Sequence, residues 1–147
     1  MTTELPQAVR YVLDTDSVTH QQLGRVAIVQ RLAQLPADDV ATTIVTMYEQ
    51  LRGRLASINR NQSDQELQLA YQRLQLTQTY FCRVHVLPFD AVAARIYRDL
   101  VKQKLRIGAE DLKIAAILLA YQATLVTSNR RHFDQVPGLQ VEDWNYT

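Results

Sequence analysis

Four polar residues in this chain stand where chemistry is done: Asp14, Glu49, Asp111 and Asn129. Asp14 ends the apolar run of YVLDTDSVT, and Glu49 lies one helical turn beyond the β-branched run VATTIV. Asp111 opens the apolar segment AEDLKIAAILLAY, and Asn129 follows TLVT. Each acid alone has an ordinary structural explanation. Asp14 and Asp16 can satisfy the free N–H groups of a first helix. Thr46-Met47-Tyr48-Glu49 matches a capping box, and Glu110 and Asp111 favour a helix start by about 0.3–1 kcal/mol. Serine or asparagine would cap as well, however, so capping does not demand an acid at all three places. A hard divalent cation does. Magnesium and manganese take carboxylate oxygens from several segments, with water completing the shell. Helix N-termini aimed at the same crevice favour a bound phosphate. Acids gathered around such an ion fit hydrolysis of a phosphodiester, because the metal lowers the pKa of a bound water and offsets transition-state charge.

Positioning these acids requires strands that alternate with helices. Tyr11–Leu13 has strand character and is followed by a helix through about Leu35, with Leu23, Val26, Ala27 and Leu32 near one face and Pro36 closing it. Val40–Val45 is a second strand, and a helix follows from about Met47 to Ile58. Asn59–Gln65 is a loop, with Asp64 as the expected cap of a helix running toward Arg83. Val84–Leu87 is a third strand, after which Pro88 and Asp90 introduce a helix carrying Val92, Ile96 and Leu100. Ala109–Gln122 is helical, Thr124–Thr127 is a fourth strand and Leu139–Val141 a fifth. This alternation predicts βαβ units and a parallel sheet covered on both faces. Ligands of such sheets sit beyond the carboxyl ends of the strands. Asp14, Glu49 and Asn129 follow three predicted strands, whereas the place of Asp111 depends on how its helix packs.

A length of 147 residues suits a single domain, and 47% apolar with 21% charged residues is an ordinary globular balance. There are 16 basic and 15 acidic residues; if three of the acids hold a metal, 12 remain against 16 bases. A phosphate-binding surface can therefore hide within a nearly neutral total. One cysteine, Cys82, excludes an internal disulfide and fits a reducing compartment. MTTELPQAVR lacks the pattern of a signal peptide, and IAAILLAY is far short of the ~20 residues that span a bilayer. The expectation is a cytoplasmic protein with no membrane segment.

The stretches VLDTDSVT, VTMYEQLRGRL and IGAEDLKIAAILLAYQATLVTSNRRHFDQVPGLQVEDW together resemble the PIN-domain ribonucleases, and among them the VapC toxins of toxin–antitoxin pairs. The resemblance runs from Tyr11 to Trp144. The acid before L-x-I-A-A, then TLVT, N-x-x-x-F and the closing G-L-x-V-E-x-W, is its most specific part. It implies a three-layer α/β/α fold with a short central parallel sheet. It also implies a Mg2+-dependent endoribonuclease, with Mn2+ able to substitute, that cuts RNA with water. Asp14, Glu49 (four residues before Gly53, as in the family's E-x-x-x-G) and Asp111 correspond to the metal-binding carboxylates. Asn129 occupies a fourth catalytic position where some members carry aspartate, and it adds no negative charge. The family more often shows D-T-N where this chain has D-T-D, and often an acid where it has His132. Two tight metal sites are therefore not expected without RNA. Further implications are a small VapB-like antitoxin, a homodimer, and an RNA target such as tRNA.

The residues around these positions carry their own expectations. Asp16 is expected as a helix cap, while Thr15, Ser17 and Thr127 are placed to hydrogen-bond the carboxylates. Arg130, Arg131 and the run Arg98–Arg106 fit either RNA phosphates or solvated helix faces, the latter being the commoner case. His20, His85 and His132 are too scattered for a zinc site, and Ala115 and Ala116 suit close helix packing. Two alternatives stay open at this level. One is a PIN-fold binding module of weakened activity; the other is a haloacid-dehalogenase-like phosphatase, suggested by D-x-D after an apolar run.

Overall fold

The computed structural model describes residues 9–145. Five short strands, β1 (Tyr11–Leu13), β2 (Val40–Thr43), β3 (His85–Leu87), β4 (Thr124–Val126) and β5 (Gln140–Glu142), form one sheet in the order β3-β2-β1-β4-β5. Every pairing is parallel, with Val12 beside Ala41 on one side and Leu125 on the other. The described residues also form seven α-helices, α1 (Thr15–Gln22), α2 (Val26–Ala33), α3 (Ile44–Ile58), α4 (Asp64–Arg83), α5 (Ala91–Lys102), α6 (Ala109–Tyr121) and α7 (Arg130–Phe133), and a short 3-10 helix, Ala37–Asp39. Among the described residues, no helix is long and apolar enough to cross a membrane.

Alternation along the central strands explains the layers. Val12, Ala41 and Leu125 join a core with α5 and α6, whereas Tyr11, Leu13 and Val126 join a second core with Val18, Ile28 and Trp144. Successive side chains of a strand point to opposite faces, so both faces of β1 and β4 are buried, as a parallel sheet requires. The result is the expected three-layer α/β/α arrangement. Within α6, Ile114–Leu118 are all fully buried, including Ala115 and Ala116. Burying each large apolar side chain there contributes roughly 1.5–3 kcal/mol.

Several local expectations are corrected. The helix expected through Leu35 is two helices. Leu23 caps α1, and Gly24 then takes a left-handed φ of +70°, which a side chain disfavours. Leu23 and Val26, placed on the buried face by periodicity, are 67% and 66% exposed. The cap of α3 is Thr43, whose Oγ1 accepts from the Thr46 N–H, so α3 begins at Ile44 and shortens the second strand. Thr46 therefore caps nothing, and no capping box involves Glu49. Ser63 rather than Asp64 caps α4, in a full capping box with Glu66. Asp90 does cap α5.

Candidate active site

The strand order reverses between β1 and β4, since the chain builds outward through β2 and β3 and then returns to the other side of β1. In a parallel sheet that reversal opens a crevice at the carboxyl ends of the two strands. Asp14 leaves β1 at this point. Its N–H donates to Val126 O of β4 at 3.1 Å, and the residue is only 4% exposed. Its Oδ1 accepts from the Ser17 N–H at 2.8 Å, making Asp14, not Asp16, the cap of α1. Asp16 lies exposed in the first turn. Ser17 Oγ donates to Val126 O at 2.9 Å and ties the same turn to β4.

Glu49 reaches the crevice from the second turn of α3, where Thr15 Oγ1 donates to its Oε1 at 2.7 Å. Asp111 arrives from the first turn of α6. That helix runs back toward the start of β4, which carries its N-terminus to the carboxyl edge of the sheet. Its Oδ2 lies 3.4 Å from His132 Nε2 on α7. Asn129 follows β4 and is exposed; its N–H donates to Thr127 Oγ1 at 2.9 Å.

The three acids are shifted in the same direction. Burial raises the Asp14 pKa, against hydrogen bonds from Thr127 and Ser17, and Asp16 adds repulsion. Burial raises that of Glu49 too, opposed by the Thr15 bond and reinforced by the charges of Asp111, Glu110 and Asp16. Asp111 is raised by burial and by Asp16 and Glu110, and is lowered by His132. Glu49 thus feels the charge of Asp111, and the charge of Asp16 acts on all three. Carboxylates that crowd each other while losing water favour protonation or a counter-cation. The expected hydroxyl partners, Thr15, Ser17 and Thr127, all act on these acids.

In chemical type these acids suit a hard divalent cation, since each offers carboxylate oxygens from a separate segment of the chain. Cys82 is exposed, and the histidines lie on α1, β3 and α7, so no zinc-type set is present among them. Among the described residues, no group of three or more His, Cys, Asp or Glu side chains is placed so as to hold a metal ion, so the three acids supply the donor chemistry of such a site and not its assembled geometry. Asp14 and Glu49 each turn to a donor on α1, and Asp111 turns to His132. The His132 contact, and the nearness of Asp16 and Glu110, went unforeseen. The one available signal was the position of His132 a single turn after Asn129.

Residues 11–139 match the PIN domain family. Ribonuclease VapC1 of Haemophilus influenzae (strain R2866) is 32% identical over 140 residues, covering 91% of this chain and 97% of that protein. The tRNA(fMet)-specific endonuclease VapC of Shigella flexneri is 27% identical over 141 residues, covering 93% and 99%. Among solved structures, VapBC-1 from nontypeable Haemophilus influenzae contains a chain with a TM-score of 0.72 and 26% identity, covering 92% of this chain and 98% of that one.

Proposed function

Because this chain belongs to the PIN-domain family, and within it to the VapC ribonucleases, we propose that it is a divalent-metal-dependent endoribonuclease, the toxin of a toxin–antitoxin pair. Asp14, Glu49 and Asp111 would hold Mg2+, or Mn2+ in its place, with Asn129 and water completing the set. Bound there, the ion would supply an activated water and offset the charge that builds on the phosphorus. The observation that supports this reading is the place of the acids in the fold: Asp14 at the exit of β1, Glu49 in the second turn of α3 bonded to Thr15 beside it, and Asp111 in the first turn of α6, its charge felt by Glu49.

The chain's own groups have separable tasks. The Ser17 N–H fixes Asp14, and Thr15 fixes Glu49. His132, when protonated, offsets the Asp111 charge. The curated relatives include tRNA(fMet)-specific endonucleases, which makes initiator tRNA the first substrate to try. A VapB-like antitoxin belongs to the same proposal, supported by solved relatives that are VapBC complexes, and a homodimer is proposed with it. Membership of the PIN family leaves the phosphatase alternative without support.

The test is cleavage of purified tRNA and ribosomal RNA with Mg2+ or Mn2+, with and without chelator, beside Asp14→Asn. Cutting that needs metal and vanishes in the variant is expected; cutting that persists with chelator refutes the metal. Co-expression of the neighbouring reading frame should relieve any growth arrest. Absence of relief by that frame, or by any adjacent one, counts against the toxin–antitoxin assignment.

A further inference from the structure

Behind Glu49 stands a row of hydroxyls with a single direction. Thr15 Oγ1 donates to Glu49 Oε1 at 2.7 Å and lies 3.1 Å from Thr46 Oγ1. Thr43 Oγ1 lies 3.5 Å from Thr46 Oγ1, a long contact, and accepts the Thr46 N–H at 3.1 Å. Each hydroxyl carries one proton, and an ionised carboxylate only accepts. The Thr15 proton is therefore committed to Glu49. The Thr15–Thr46 contact must then use the Thr46 proton, which leaves the Thr43 proton for Thr46. Every donor points toward the carboxylate, and each polarises the next, strengthening it by roughly 10–30% per bond. Thr43 and Thr46 are both fully buried, so bulk water does not compete for these contacts.

The three threonines come from three places: the start of α1, the end of β2 and the first turn of α3. Glu49 is only half-buried and faces the like charges of Asp111, Glu110 and Asp16. Nothing covalent keeps such a long side chain in the crevice, and repulsion drives it toward solvent. The Thr15 hydroxyl is the group that opposes this.

We propose that Thr15, backed by Thr46 and Thr43, is a positioning residue for the nuclease reaction: its hydroxyl holds the Glu49 carboxylate in the crevice in the orientation from which it ligates a cation. This rests on the reading of Glu49 as a metal ligand. It is not a catalytic role, since Thr15 acts only through Glu49. The three hydroxyls set the geometry of α3 against α1 in addition to the rotamer of one side chain.

The test compares Thr15→Val, which keeps the shape and removes the donor, with Thr15→Ser, which restores it. Mn2+ binding to the full chain is measured by calorimetry without RNA, and kcat and KM are measured on a cleavable RNA. A hydrogen bond to a charged group is worth about tenfold to a hundredfold in an equilibrium. Thr15→Val is therefore expected to weaken Mn2+ binding and lower kcat by about that range, with KM for RNA within about twofold and the melting temperature close to wild type. Thr15→Ser is expected to recover both. Thr46→Val breaks the row one link back and should show the same pattern, reduced to about twofold to fivefold; it carries the test if Thr15→Val fails to fold. Wild-type Mn2+ affinity and kcat in Thr15→Val, or a Thr15→Ser variant as impaired as Thr15→Val, would overturn the proposal. If Asp14→Asn is inactive while Thr15→Val is unaffected, only the positioning role fails. If Asp14→Asn cuts like wild type, the metal-site reading fails with it.

Discussion

Asp14 is both a helix cap and a buried charge, and two substitutions separate these roles. In Asp14→Asn the side-chain oxygen can still accept the Ser17 N–H, and asparagine caps a helix about as well as aspartate. What disappears is a charge that burial disfavours, as the raised pKa records. The favourable interaction of that charge with the end of α1, about 0.3–1 kcal/mol, is lost too. Because the raised pKa means that folding disfavours the charged form relative to the unfolded chain after these opposing effects are combined, Asp14→Asn should be at least as stable as wild type without metal. Asp14→Ala removes the acceptor as well. Losing the cap costs about 0.5–2 kcal/mol and leaves the N–H of the buried Ser17 without its partner. At roughly 2–4 °C per kcal/mol for a chain of this size, Asp14→Ala should melt about 1–8 °C below Asp14→Asn.

Calorimetric melting in chelator from pH 4 to 8 measures this, and the sign of the pH dependence follows from proton binding. A carboxyl with a raised native pKa holds more proton in the folded than in the unfolded state between its two pKa values. Stability therefore falls as pH rises from near the ordinary aspartate value through the raised one, and the loss persists above it. Asp14, Glu49 and Asp111 all act in this direction. Removing the Asp14 contribution should flatten the profile of Asp14→Asn. Excess Mn2+ should raise the melting temperature of wild type, by about 2.7 kcal/mol of stability at a hundred times its Kd, and should raise that of Asp14→Asn much less. The reasoning is refuted if Asp14→Asn melts as low as Asp14→Ala, or if both variants respond to Mn2+ like wild type.

Three further substitutions probe the scaffold. Ile117→Ala in the fully buried centre of α6 should lose about 2–5 kcal/mol in urea unfolding, with an unchanged m-value. Gly24→Ala meets no atom within 4 Å, so its cost comes from the left-handed φ alone, about 1–2 kcal/mol by the same measurement. Ser63→Ala removes the exposed capping box at the start of α4 and should cost about 0.5–2 kcal/mol; because none of its bonds reach the acids, RNA cleavage by the folded protein should be unchanged.

Much of the fold was readable in one dimension because the rules that determine it are local. Short apolar runs alternating with longer helical segments require parallel strands with crossover helices, and five such runs became the five strands. The wholly apolar IAAILLAY could be stable only as a buried helix, and its centre is fully enclosed. Asp90 lies two residues after Pro88 and precedes an amphipathic run, and it caps α5 as expected. Boundaries were less readable. Thr43 and Thr46 are the same residue type three positions apart, and Ser63 and Asp64 are adjacent cap formers. Which of each pair caps depends on where the backbone leaves extended geometry. Helical periodicity ran unbroken across Gly24 because it records side-chain polarity and not the sign of φ.

The sequence by itself determined which residue types were available: carboxylates after the first strand, beyond the second and at the start of the helix before the fourth, with hydroxyls close to them. It also determined that Asp14 must stand at a strand exit, since that depends on its immediate neighbours. Only the tertiary structure decided that Asp111 lies against His132, that Asp16 and Glu110 add their charge to the same crevice, and that Thr15 holds Glu49. Those facts depend on how α1, α3, α6 and α7 pack around the edge of one sheet. Capping and periodicity act over a few residues of chain, whereas burial and charge act through space between segments that the chain order keeps apart.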